Sequence, residues 1–110
     1  VSNKAERKIK RIILDMLGEL GLEVESIILF GSRARGDFEE ESDYDILIIT
    51  KNEDFKQRFV EIWEKVYQAL HLGFPTASFD LIIKSSRQFE EEKDVVNTIA
   101  NEAYAEGKEL

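Results

Sequence analysis

The stretch that decides the fold runs Ile27-Ile28-Leu29-Phe30-Gly31-Ser32-Arg33-Ala34-Arg35-Gly36. It continues through a charged loop, Asp37 to Ser42, into Asp43-Tyr44-Asp45-Ile46-Leu47-Ile48-Ile49. Two short, continuous, β-branched runs bracket that loop, the pattern of strands buried on both faces. The first run breaks at Gly31. A glycine and a serine where a strand becomes a helical turn can offer backbone N–H groups and a hydroxyl to a phosphate. Asp43 and Asp45 stand two residues apart at the entry to the second run, so both carboxylates project to one side, about 6 to 7 Å apart. Two anions held so close repel each other unless a positive charge lies between them, and a divalent cation is the usual answer.

Working outward, Ile9, Ile12, Ile13, Met16, Leu17 and Leu20 recur at spacings of three and four and predict an amphipathic helix over residues 3–20. Asn3 and Glu6 have the spacing of a capping pair, and Gly21 is placed as the stop. Val24 joins the first strand. Beyond the second strand, Tyr44–Thr50, the residues Phe55, Phe59, Ile62, Trp63, Val66 and Leu70 predict a helix capped by Asn52 or Asp54 and ended by Gly73 and Pro75. Residues 78–84 read as a third strand that carries Asp80 between Phe79 and Leu81. Ser85 and Gln88 then open a final helix through Val95, Val96, Ile99, Ala100 and Ala103 to about Gly107. The fold class is α/β in the α+β sense: a small mixed sheet of three or more strands flanked by helices, with parallel pairing wherever a full helix connects two strands.

The 110 residues, 43% hydrophobic and 35% charged, suit one domain over 1–110. No apolar run reaches the roughly 18 residues of a membrane span, and the basic, helix-forming start does not read as a signal peptide. Cysteine is absent, which removes disulfides and thiolate chemistry; a cytoplasmic protein is the expectation. Fifteen basic against 23 acidic residues give a formal charge of -8, which argues against extended nucleic acid as a partner. A small anion held together with metal ions remains compatible, since carboxylates are what hard cations use.

Asp43, Asp45 and, if strands two and three are neighbours, Asp80 converge beside the Gly31-Ser32 turn. That set fits two-metal phosphoryl or nucleotidyl transfer. A Gly-Ser, ten-residue gap, Asp-x-Asp pattern arises by chance about once in several hundred chains of this length. The plainer account of each residue is a turn glycine, a helix cap, strand-entry charges and, for Asp80, a buried aspartate bonded to backbone. Arg33 and Arg35 could neutralise a triphosphate or pair with Asp37 and residues 39–41. His71 reads as a helix-end charge, Trp63 and Tyr67 as core, and the Lys4 to Arg11 and Glu90 to Glu92 clusters as solvated faces.

The Gly31-Ser32 pair, ten intervening residues and Asp43-x-Asp45 resemble the signature of the DNA polymerase β-type nucleotidyltransferase superfamily. Gly-Ser-Arg-Ala-Arg-Gly followed by Ser42-Asp43-x-Asp45 is similar to its minimal members, the MNT proteins. Phe79-Asp80-Leu81 stands where the third aspartate strand of that family lies, and Glu106-Gly107-Lys108 resembles its C-terminal helix ending. Glu41 replaces a frequent proline, and Ile46 a commoner leucine. The resemblance implies that Gly31 and Ser32 hold the β- and γ-phosphates of a nucleoside triphosphate; Arg35, by its charge and its place on the same turn, is the candidate for a further phosphate contact. The resemblance implies that Asp43, Asp45 and Asp80 are catalytic and ligate two Mg²⁺ ions, and that Asp80 helps deprotonate the acceptor. It also implies ATP as substrate, release of pyrophosphate, and a role as antitoxin that adds AMP to a HEPN-type RNase toxin. Two other readings stand beside it: a binding module with a vestigial site that occludes its partner, and a transferase for small hydroxylated molecules, which the lack of a second, substrate-gripping domain disfavours.

Overall fold

The computed structural model describes residues 3–110. Helix α1, Lys4–Glu19, begins where the Asn3 side chain accepts the Glu6 N–H at 2.8 Å and its amide donates to Glu6 Oε2 at 3.2 Å, the reciprocal cap its spacing predicts. Strand β1, Val24–Phe30, ends in the short helix α2, Ser32–Arg35. Strand β2 spans Tyr44–Thr50. A 3₁₀ turn, Lys56–Arg58, leads into helix α3, Phe59–Gly73, and strand β3 follows at Phe79–Ser85. Helices α4, Ser86–Glu92, and α5, Ile99–Glu106, precede a two-residue strand β4, Lys108–Glu109.

The sheet order is β3-β2-β1-β4. Strand β1 pairs antiparallel with β2 and β4, and β2 pairs parallel with β3, its partner across the α3 crossover. One face carries Ile27, Leu29, Ile46, Ile48, Phe79, Leu81 and Ile83 and packs on α1 and α3 through Ile9, Ile13, Leu17, Ile62, Val66 and Leu70. The opposite face carries Phe30, Leu47 and Ile49 and is covered by Phe89 of α4 and by Ala100 and Ala103 of α5. Strand β2 is therefore sandwiched, and Ile46 to Ile49 are at most 2% exposed, which explains why their run is continuous rather than alternating. Trp63 caps the β3 edge, where its indole Nε1–H donates to Leu81 O at 2.8 Å, and stacks on Tyr67.

Two expectations are corrected. Neither Asn52 nor Asp54 caps α3, which follows the 3₁₀ turn from Arg58; Asn52 instead accepts the Glu23 N–H at 2.8 Å and ties the outer ends of β1 and β2 together. The final helix is two helices. Ser85 does cap the first of them, but Asn97 has φ 71°, Thr98 caps α5 by accepting the Asn101 N–H, and Val95 and Val96 are exposed in the break. Their apolar side chains mimic helical periodicity without being buried. His71 lies in the last turn of α3, as a helix-end charge should. Strand β4 was not expected, since two residues carry no period.

Candidate active site

Gly31 ends β1 with φ 72° and ψ -156°, a region of backbone space essentially reserved for glycine. The conformation turns the chain sharply into α2, whose Ala34 and Arg35 N–H groups both donate to Gly31 O at 3.1 Å. Its missing side chain matters as much as its φ. A Cβ built on Gly31 would overlap Asp45 Oδ2 and lie 3.1 Å from its Cγ, so the Asp45 carboxylate sits in the space that any other residue would fill. Ser32, the next residue, is half-buried, and among the described residues its hydroxyl has no protein partner.

Register brings the aspartates together. Asp45 lies opposite Phe30 of β1 and Asp80 of β3, and strands in a ladder are about 4.8 Å apart. Because side chains alternate, Asp45 and Asp80 share the face of Leu47 and Ile82, near the Gly31 end of the sheet. Asp80 is exposed, not a buried charge within an apolar strand, and the hydrogen-bonded interior aspartate considered as its plainer role does not arise. Asp43, also exposed, stands two residues before Asp45, just outside β2.

The clustering has an electrostatic signature. The Asp45 carboxyl is held above its ordinary value, first by burial and then by the negative charges of Asp80, Asp43 and Glu102; Arg35 opposes the shift. Glu102 of α5 is a fourth carboxylate at the site that the sequence did not reveal, since its place depends on α5 starting anew at Ile99. Arg35 reaches Asp37 at 3.4 Å and Glu106 at 3.6 Å, so its guanidinium bridges α2 and α5 and stands beside the aspartates with acidic partners of its own.

The donor chemistry fits a hard divalent cation: every candidate ligand is a carboxylate oxygen, and the most enclosed of them carries an unneutralised like-charge surplus. Among the described residues no three of these groups stand close enough together to hold a metal ion as they are placed.

The chain matches, over residues 8–108, the model of the family described as polymerase beta, nucleotidyltransferase. It belongs to that family. The nucleotidyltransferase fold accounts for the mixed sheet flanked by helices. Two proteins of Methanocaldococcus jannaschii share a segment with this nucleotidyltransferase. One, named "Putative protein adenylyltransferase MJ0604", is 48% identical over 44 residues, 40% of this chain and 44% of that protein. The other, "Putative protein adenylyltransferase MJ0141", is 49% identical over 43 residues, 39% of this chain and 43% of that protein. The match thus spans less than half the length of either relative. Among the described residues of the nucleotidyltransferase no helix is long and apolar enough to cross a membrane.

Proposed function

We propose that residues 1–110 act as one catalytic domain that transfers AMP from ATP to a hydroxyl of a protein partner, in the cytoplasm. The observation that carries this is the approach of Asp45 to Gly31 and, in register, to Asp80, which supports one site made from the glycine-serine turn and the aspartates. The names of the two matched relatives support a protein as the acceptor. Gly31 and Ser32 hold the β- and γ-phosphates, and Arg35, released from Asp37 or Glu106, adds a third contact. Two Mg²⁺ ions, held by Asp43, Asp45 and Asp80, would neutralise the triphosphate and acidify the attacking hydroxyl.

Asp80, exposed at the mouth of the site, accepts the hydroxyl proton on a carboxylate oxygen. The hydroxyl oxygen then bonds to the α-phosphorus while the bond to the bridging oxygen breaks, and pyrophosphate leaves. A protein interface supplies the acceptor in position, which converts a bimolecular encounter into an oriented one. Resemblance to the MNT proteins supports a HEPN-type toxin as that partner and neutralisation by AMP addition as the purpose. Extended nucleic acid is disfavoured by the charge of -8. The test is incubation of the chain and its co-purifying partner with ATP and Mg²⁺, followed by intact mass measurement. Addition of AMP that Asp80→Asn abolishes supports the reading. A partner neutralised without any added mass, by wild type and variant alike, refutes it in favour of occlusion, and labelling of a small alcohol without a partner refutes the protein acceptor.

A further inference from the structure

Arg33 lies between the two halves of the site, one residue beyond Ser32, and its guanidinium is committed in an unusual way. Its Nε donates to Ser42 O at 3.1 Å, and one terminal nitrogen donates to both Ser42 O and Glu40 O at 2.9 Å. Its Cζ lies over two rings, 4.6 Å from the Phe38 centroid and 4.1 Å from the Tyr44 centroid. Tyr44 is the residue between Asp43 and Asp45. Its ring stacks on Phe79, which precedes Asp80, at 5.4 Å, and its N–H donates to Ser78 O at 2.9 Å. Phe38 is 45% exposed, and the contact with Arg33 is what gives an aromatic a reason to sit on that loop.

The segment so gripped carries one turn of its own, in which Ser42 Oγ accepts the Glu39 N–H at 2.9 Å and the Ser42 N–H donates to Glu39 O at 3.0 Å, and Arg33 fastens that turn to α2. Residues 37–43 contain five acidic side chains, Asp37, Glu39, Glu40, Glu41 and Asp43, whose repulsion favours an extended loop. Arg33 does not pair with those carboxylates. It binds main-chain carbonyls at residues 40 and 42, fixing the backbone immediately before Asp43. A planar fork that reaches two carbonyls while lying over two rings is chemistry available to arginine and not to lysine.

We infer that Arg33 is a positioning residue: it ties α2 to the backbone entering β2 and so presets Asp43 for a divalent cation, rather than touching the phosphates itself. The inference rests on the proposed role of Asp43, and the test keeps the two apart. Mn²⁺ is titrated into wild type, Arg33→Lys, Arg33→Ala and Asp43→Asn in the presence of a non-hydrolysable ATP analogue and followed by electron paramagnetic resonance; the analogue is then titrated at saturating Mn²⁺. Both Arg33 variants are expected to weaken Mn²⁺ about tenfold or more, the range seen when a group that orients a metal ligand is lost. Analogue affinity at saturating Mn²⁺ should change less than about twofold, an effect below 0.5 kcal/mol.

Unchanged Mn²⁺ affinity in both Arg33 variants would overturn the inference. So would a loss of analogue affinity with Mn²⁺ binding intact, which is the mark of a phosphate ligand, or rescue by lysine, which would make charge alone sufficient. The hydrogen bonds and ring contacts of Arg33 run to the loop and to Tyr44 rather than to the core, so both variants should fold; unfolding of both would make it a residue of the core and overturn the assignment as well. Normal Mn²⁺ binding by Asp43→Asn would instead remove the metal role of Asp43 on which the inference depends.

Discussion

Replacing Gly31 by alanine tests the geometry of the site more directly than replacing any aspartate, because that substitution carries two separable penalties. The first is backbone strain: φ 72° with ψ -156° costs a residue with a Cβ about 1 to 3 kcal/mol. The second is collision, since the new Cβ would occupy the position of Asp45 Oδ2. Removing the Asp45 carboxylate leaves only its Cβ at 3.4 Å, an ordinary contact, so the collision term disappears in an Asp45→Ala background while the strain term persists. The four proteins form a double-mutant cycle. Gly31→Ala should lower stability by about 2 to 4 kcal/mol in wild type and by about 1 to 3 in Asp45→Ala, a coupling of roughly 1 kcal/mol within the range of residues in contact. For a chain of this size each 1 kcal/mol moves the melting temperature by about 4 to 8 °C, so both numbers are measurable by calorimetry or urea unfolding. Equal losses in the two backgrounds would show that the carboxylate does not lie against Gly31. No loss in either would show that the chain does not turn there with positive φ.

The other predictions are simpler. Asp43→Asn, Asp45→Asn and Asp80→Asn should each abolish AMP transfer, read by mass, while circular dichroism stays native; unfolding would make the aspartates structural. The Asp45 carboxyl is raised in the folded protein, which therefore binds more protons than the unfolded chain between the two values, and this group's contribution to stability falls as pH rises through that window. Urea unfolding between about pH 4 and pH 8 should accordingly show Asp45→Asn gaining on wild type with rising pH, and a constant difference would refute the shift. Trp63→Phe should cost about 1 to 2 kcal/mol by leaving Leu81 O without its donor. Gly107→Ala, whose Cβ would overlap Ala103 O and Ile28 Cγ2, should cost about 1 to 3 kcal/mol by overpacking and loosen β4 from β1.

The parts of this structure that were legible in the sequence are those in which local pattern and tertiary burial agree. The period of α1, the Asn3 and Ser85 caps, the uninterrupted apolar runs of β1 and β2, and the Gly31 turn all state in local terms what the fold then uses. The spacing of Asp43 and Asp45 is read as that of two residues on one strand, but β2 begins only at Tyr44. The illegible parts depend on long-range partners. Asn52 looks like a cap but serves Glu23 across the sheet; Val95 and Val96 carry the helical period yet lie in a break fixed by Asn97 and Thr98; Glu102 reaches the aspartates only because α5 crosses the sheet end there. Arg33 reads as a phosphate ligand or an ion-pair partner because a one-dimensional sequence shows its acidic neighbours and not their carbonyls.

One register ties these observations together. With Ile46 and Ile48 on the α1 and α3 side, alternation obliges Asp45, Leu47 and Ile49 to face α4 and α5, and the parallel pairing obliges Asp80 to do the same. A slip of β3 by one residue along β2 would turn Asp80 into the larger core and expel Leu81 or Phe79, a loss of several kcal/mol of apolar burial that excludes the alternative. The like charges at Asp45 and Asp80 oppose the observed register by about 0.2 to 1 kcal/mol, a much smaller quantity. The hydrophobic core thus holds two carboxylates side by side against their repulsion, and the Gly31 turn gives one of them its room. The two carboxylates stand side by side because the strands that carry them are aligned by residues that never touch them.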